Sequence, residues 1–146
     1  MLLAALLGLV ACDPFGDTSQ EMALNAEQAA QLDLLSPDRR LPPSAINVRV
    51  HVQHFQDTVL HVRFDAPLAD ARRFAEELVG RPLVRGERPW RGGDPQLDWW
   101  PQVVPAGAEG GNNGGVGGQP DGYPPVDVML LPRGAMATVW VHTFST

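Results

Sequence analysis

The chain has 146 residues, a formal net charge of −6 at pH 7 and a single cysteine. Its 11 basic residues are all arginines and are scattered, so composition disfavours nucleic acid as a partner and also electrostatic adhesion to anionic lipid. One cysteine leaves no intramolecular disulfide, and the length leaves room for one small domain that depends on its hydrophobic core.

The N-terminal segment is apolar, since residues 2–11 are all Leu, Ala, Gly or Val. Such a run is too short for a permanent membrane span, which needs roughly 20 residues, but suits the apolar region of a signal peptide. Leu9-Val10-Ala11-Cys12 resembles the lipobox of bacterial lipoprotein precursors, in which the cysteine receives a diacylglyceryl thioether. The alternative is a buried N-terminal helix, which the lack of a preceding Lys or Arg favours. We expect residues 1–11 to be a lipoprotein signal peptide and Cys12 to be the acylated residue.

Residues 12–44 are expected to form a lipidated tether with a short helix. Asp13 to Asp17 is a turn-forming stretch, and Thr18-Ser19-Gln20-Glu21 fits a capping box. The sequence therefore predicts a helix over roughly 19–35, ended by the prolines at 37, 42 and 43.

An α+β domain is expected over residues 45–146. Apolar and polar residues alternate from Asn47 to Phe55 and from Thr58 to Asp65, which predicts a hairpin. Val52 should lie opposite Leu60, because this register puts both apolar sets on one face. The other set, which includes Arg49, His51, His61 and Arg63, should then face solvent.

A helix should follow, from Ala66-Pro67 to Gly80. Proline is tolerated in the first turn of a helix, and glycine is common directly after the last one. The apolar residues of this segment recur at helical spacing and are Leu68, Ala71, Phe74, Ala75, Leu78 and Val79. We expect Phe64, Phe74 and Leu78 to be buried between the hairpin and this helix.

The second half of the domain has two irregular stretches and one more hairpin. Residues 81–105 are rich in proline and tryptophan without a period, and residues 106–122 are expected to be a flexible Gly-rich loop. Val126 to Leu131 and Ala137 to Phe144 predict a second hairpin around Pro132-Arg133-Gly134. The expected fold is a small two-layer ββαββ domain with antiparallel hairpins packed on one helix.

Short segments between residues 41 and 101 resemble small bacterial lipoproteins of unassigned function. The matching stretches are Leu41-Pro42-Pro43-Ser44-Ala45, Gln56-Asp57, Arg63-Phe64-Asp65-Ala66-Pro67, Phe74 and Asp98-Trp99-Trp100-Pro101. The resemblance does not imply any particular activity.

His51 and His61 are predicted to be directly opposite each other in the first hairpin. Two imidazoles there could reach one zinc or copper ion, but a catalytic zinc needs three protein ligands and a structural one needs four. Asp65 and His142 are the candidates for a third, and the sequence places neither. We therefore assign no metal and no cofactor, and interpret the pair and His54 as surface histidines.

Trp99 and Trp100 admit two interpretations. They could anchor the irregular segment onto the domain, or they could form a stacking platform for sugars with Asp94 and Asp98. A glycosidase would need two carboxylates across a cleft, and Asp94, Asp98 and Glu109 are the nearest in sequence. The serines have no convincing partner histidine, so no catalytic residue is assigned.

The sequence thus predicts a membrane-anchored envelope lipoprotein whose domain binds or associates and does not catalyse. Its domain would face the periplasm or the exterior from the cell membrane or the outer membrane, with an envelope protein or a glycan as partner. The predicted contact residues are Arg49, His51, His61, Arg63, Trp99 and Trp100. The alternative is an envelope hydrolase or carbohydrate-binding domain built on Trp99-Trp100.

Overall fold

The fold is a single antiparallel sheet with helices on one face. The computed structural model describes residues 18–36, 38–54, 56–90, 96–114 and 124–145. Its elements are β1 (Thr18–Leu24), α1 (Ala26–Gln31), β2 (Ile46–His54), β3 (Thr58–Pro67), α2 (Leu68–Val79), β4 (Val84–Arg85), β5 (Glu109–Asn112), β6 (Val126–Arg133) and β7 (Met136–Ser145). The strand order is β1-β2-β3-β7-β6-β5-β4. The α+β class is confirmed, and β1, β4 and β5 extend the expected ββαββ order.

Both predicted hairpins are present. Val52 lies opposite Leu60 and His51 opposite His61, so the register that was set by the apolar alternation is confirmed. In the second hairpin, β6 continues through Pro132 and Arg133, and the turn is at Gly134, whose φ of 65° is available to glycine at little cost.

Helix α2 packs its predicted stripe onto the sheet. Ala71, Phe74, Ala75, Leu78 and Val79 are buried, and the helix ends at Gly80 with a φ of 69°. The ring centroids of Phe74 and Phe64 are 5.3 Å apart in an edge-on arrangement. The expected burial of these side chains between hairpin and helix is confirmed.

The predicted helix over 19–35 is wrong in its first part. Thr18–Leu24 is a strand that pairs with β2, and the helix occupies only Ala26–Gln31. The capping box is at Asn25 and Gln28: the backbone amide of Gln28 donates to Asn25 Oδ1 at 2.9 Å, and that of Asn25 donates to Gln28 Oε1 at 3.0 Å. Pairing with β2 prevails here over the local Thr18-to-Glu21 pattern, because Met22 and Leu24 then pack against the core.

The Gly-rich loop is also shorter than expected. Glu109–Asn112 forms β5 beside β6, while residues 115–123 lie outside the described part of the chain. A Cβ on Gly110 would overlap the carbonyl oxygen of Glu87, and one on Gly111 would lie 3.2 Å from Val79 Cγ2. Two glycines let this strand fit between the 81–90 segment and α2, so they serve close packing and not flexibility.

The sheet is covered on both faces, on one by the helices and on the other by a segment without helix or strand. The aliphatic core joins one face of the sheet to α2 and to the 29–45 segment. A second cluster covers the opposite face and contains Trp90, Trp99, Trp100, Ala108, Met129 and Trp140. The sheet is therefore buried on both faces around β3 and β7.

Candidate functional site

A row of polar side chains crosses the sheet on the face opposite α2. Each member is directly opposite the next on the neighbouring strand, from β1 to β5. In order, the row consists of Glu21, His51, His61, His142, Asp127 and Asn112. Because strand residues alternate between faces, the registers of five strand pairs together produce this alignment.

The three central side chains, His51, His61 and His142, form what we call the histidine row. The Nδ1 atoms of His51 and His61 are 3.4 Å apart, so one ring can donate weakly to the other. The rings of His61 and His142 are stacked with centroids 4.9 Å apart. His61 therefore lies between two imidazoles.

The far end of the row is a carboxylate–histidine pair. His142 Nδ1 lies 2.9 Å from Asp127 Oδ2. Since a carboxylate only accepts, His142 carries a proton on Nδ1 and, when neutral, has its lone pair on Nε2. This pair is arranged as a general base would be, but none of the hydroxyl side chains that the structure describes has a recorded hydrogen bond to His142.

Residues 96–105, which we call the tryptophan cap, lie over the histidine row. The ring of Trp100 contacts His61 edge-on at 4.7 Å between centroids, and Trp90 packs against Trp100 at 4.8 Å. His51 is 9 % exposed and His61 is 6 % exposed. The expectation that these two histidines face solvent is therefore wrong, because the cap covers them.

Two hydrogen bonds tie the cap to the sheet. Trp140 Nε1 on β7 donates to the carbonyl oxygen of Trp99 at 2.8 Å, and Trp99 Nε1 donates to Glu21 Oε1 on β1 at 2.7 Å. Trp100 Nε1 is buried with no hydrogen-bond partner among the described residues. Anchoring, the first of the two interpretations of Trp99 and Trp100, agrees with these contacts.

Burial changes the protonation of His61. Desolvation is the largest cause, followed by the like charges of His142 and His51, and together they lower the pKa of His61 to about 3. His61 is therefore neutral throughout the physiological range, and the middle of the histidine row carries no charge.

The two arginines that were predicted as contact residues form the rim of this face. Arg49 pairs with Glu21 at 2.7 Å and with Asp98 at 3.6 Å, and its guanidinium lies 5.7 Å from the centre of the Trp99 ring. Arg63 pairs with Asp65 at 3.1 Å. Both remain partly exposed, so among the six predicted contact residues these two are the most accessible.

Of the two candidates for a third metal ligand, His142 does stack on His61, whereas Asp65 is held by other side chains. Asp65 accepts from Asn47, Arg63 and Thr138, while His142 turns its Nδ1 to Asp127. Within the described ranges, no three His, Cys, Asp or Glu side chains are grouped so that they could hold a metal ion.

The acidic residues that flank the tryptophans do not form a pair. Glu109 faces α2 and binds Arg72, whereas Asp98 lies beside Arg49 on the opposite face of the sheet. The Glu109 carboxylate raises the pKa of the Arg72 guanidinium, chiefly through their hydrogen bond. Asp94 lies outside the described residues. The carboxylates that the structure does place are thus separated by the sheet.

The sheet has two dissimilar edges. β4 has two residues, Val84 and Arg85, and closes one edge. β1 has seven residues and forms the other edge. Among the described strands it is paired on one side only, with β2. Its only charged side chain, Glu21, is engaged by Arg49 and Trp99.

Sequence reasoning missed four members of this site, namely Glu21, Asn112, Asp127 and Trp140. Asp127 and His142 alternate with buried residues in the second hairpin, which was a usable signal. Glu21 was assigned to a helix, and that error hid its position beside His51.

None of the helices that the structure describes is long and apolar enough to cross a membrane.

Comparisons with protein-family models, with curated proteins and with solved structures find no match to this chain.

Proposed function

We propose that this chain is an envelope lipoprotein, anchored through Cys12, whose domain binds an extended segment of a partner protein along the free edge of β1. The observation that carries the proposal is this edge: seven residues long and unpaired on one side within the described part of the chain. Unpaired backbone amides and carbonyls at an edge can accept another strand.

The side chains of β1 do little to protect the edge. Natural sheets usually block edge pairing with lysine, proline, inward charges or very short strands. β4 follows that rule, with two residues next to Pro82 and the Arg81–Glu87 pair. In β1, by contrast, Ser19, Gln20 and Ala23 are exposed and uncharged. This asymmetry favours β1 as the surface that takes a partner.

The position of β1 in the chain also favours a partner at the membrane. Six peptide units connect Cys12 to Thr18 and can span at most about 20 Å when extended. If Cys12 is acylated, the beginning of β1 lies within that distance of the lipid. An envelope protein beside the anchor is therefore the partner that this edge suits.

A polypeptide at the β1 edge has more support as the ligand than a glycan on Trp99 and Trp100 does. A sugar platform needs an exposed indole face, but Trp99 and Trp100 are 9 % and 3 % exposed. The alternative of a hydrolase or carbohydrate-binding domain on these residues thus has less support. Arg49 lies opposite Ala23 and gives the edge a partly exposed cationic side chain, which keeps it among the proposed contacts.

Two experiments test the two parts of the proposal. For the anchor, metabolic labelling with a fatty acid should tag the wild-type chain and not Cys12→Ser; equal labelling of both would refute acylation at this cysteine.

For the edge, a photo-crosslinking amino acid at Ala23 should capture one defined envelope protein in host cells. The same substitution at the exposed Ala30 of α1 is the matched control and should capture none. The proposal fails if both positions give the same products, or if Ala23 reacts only with a second copy of this chain.

A further inference from the structure

The histidine row is bordered by charges at its ends but not at its centre. Glu21 of β1 lies at one end and accepts hydrogen bonds from Arg49 and Trp99. Asp127 of β6 lies at the other end and bonds to His142. Arg49 and Arg63 from β2 and β3 occupy the next row of the same face. Asp98 is the charged group that the cap contributes, and it pairs with Arg49.

Among the described residues, no carboxylate has a recorded contact with His61 that would give a proton there a counter-charge. Its recorded neighbours are the rings of His51 at 5.5 Å, His142 at 4.9 Å and Trp100 at 4.7 Å. The cap also excludes water from this position, since His61 is 6 % exposed. A cation in these surroundings loses its hydration and gains none of the ion pairs that would replace it.

We propose that the tryptophan cap is an acid-sensitive closure: protonation of His61 at the centre of the histidine row releases Trp99 and Trp100 from the sheet while the helix face stays packed. This inference concerns the face of the sheet and does not depend on the proposed binding at the β1 edge.

The direction of the pH dependence follows from linkage. Burial is the main cause that lowers the pKa of His61 to about 3 in the closed state, and hydration raises this pKa towards its ordinary value of 6.5 once the cap lifts. The closed state is therefore fully favoured above pH 6.5 and loses that advantage as the pH falls towards 3. From His61 alone, the ratio of open to closed cap should rise by up to about 25-fold between pH 7 and pH 5.

The cap can move without the rest of the domain. Its tryptophans belong to a cluster separate from the aliphatic core, and residues 96–105 contain no strand or helix. Two hydrogen bonds, from Trp140 and from Trp99, link it to the sheet, together with the largely exposed Arg49–Asp98 ion pair and the contact of Arg49 with the Trp99 ring. Local opening is expected where a segment lacks the regular backbone hydrogen bonds of a helix or strand and packs apart from the main core.

Hydrogen exchange of the Trp140 indole N–H, followed by NMR, measures this opening. The donor sits on β7 and bonds to Trp99 in the cap, so it exchanges when the cap lifts. After correction for intrinsic exchange, its protection should fall by up to about 25-fold from pH 7 to pH 5. The backbone amide of Ala75 in α2 should remain better protected than this indole at both pH values.

Single-histidine variants identify the group responsible. In His61→Phe, which keeps a ring against Trp100, protection at Trp140 should change less than about 3-fold over the same pH range. His61→Gln serves the same purpose if the phenylalanine variant does not fold. His54→Gln is the matched control and should behave as wild type, because His54 is exposed and bonds to Thr58 outside the row.

Three results would overturn the proposal. The first is protection at Trp140 that stays constant or rises in acid, which would mean that the indole of Trp100 stabilises a protonated His61. The second is a wild-type pH response in both His61 variants. The third is equal protection of Trp140 and Ala75 that falls in parallel, which would mean that the whole domain opens and not the cap.

Discussion

The two faces of the sheet are built from alternate residues of the same strands, yet they differ in chemistry. The face towards α2 is aliphatic, with Val50, Val62 and Val139 buried. The face towards the tryptophan cap carries histidines and carboxylates beneath indoles. One face is held mainly by burial of apolar area, while the other also depends on the protonation of His61 and on hydrogen bonds made by its buried side chains. Stability should come mainly from the first, and sensitivity to conditions from the second.

The largest expected effect is on the helix face. Phe74→Ala should lower the free energy of unfolding by about 3 to 5 kcal/mol, because Phe74 is 8 % exposed and packs against Phe64. Urea denaturation followed by circular dichroism measures the change. The matched control is Phe144→Ala on the other face, where the ring is partly exposed and the loss should be smaller. Equal losses would contradict the difference between the faces.

On the tryptophan face, Trp100→Ala should cost about 3 kcal/mol, at the low end for removal of a buried aromatic ring. The ring lies on one side of the sheet in an irregular segment, so the strands and α2 should stay folded. An unchanged far-ultraviolet circular dichroism spectrum with a lowered urea midpoint is the expected result. A spectrum of an unfolded chain would mean that the cap is part of the main core.

These differences explain which parts of the molecule could be predicted from the sequence. The first hairpin and α2 follow from local periodicity, and their register and buried residues agree with the structure. Burial of His51 and His61 did not follow, because the cap that covers them comes from residues about 40 to 50 positions later, which have no period. Polar residues opposite each other on neighbouring strands indicate a solvent-exposed face only when no other segment of the chain covers that face.

The same distinction applies to β1 and β5. Each of them forms a strand by pairing with a segment that is separated from it along the chain. β1 pairs with β2, which follows after α1, and β5 pairs with β6, which follows after residues 113–125. Locally, Thr18 to Glu21 matches a helix cap, and the glycines after Glu109 match a loop. The structural role of Gly110 and Gly111 becomes visible only with Glu87 and Val79 in place.

The pH dependence of the global stability should follow His61. Because the unfolded chain binds a proton that the native state excludes, the free energy of unfolding should fall by about 2 kcal/mol between pH 7 and pH 5. Urea denaturation at a series of pH values measures this slope. His61→Phe should flatten it, whereas Phe74→Ala should shift the whole curve without changing its slope. A slope that is unaffected by His61→Phe would assign the proton uptake to other groups.

The smallest effect concerns the hydrogen bond between Trp99 and Glu21, which ties the cap to β1. Trp99→Phe keeps an aromatic ring and removes the N–H donor, so we expect a loss of about 1 kcal/mol. The Glu21 carboxylate is partly exposed and still accepts from Arg49, which limits the penalty for its lost partner. A double-mutant cycle with Glu21→Gln isolates the contribution of the pair and should give a coupling of about 1 kcal/mol. A coupling near zero would mean that packing alone, and not this hydrogen bond, joins the cap to the edge strand.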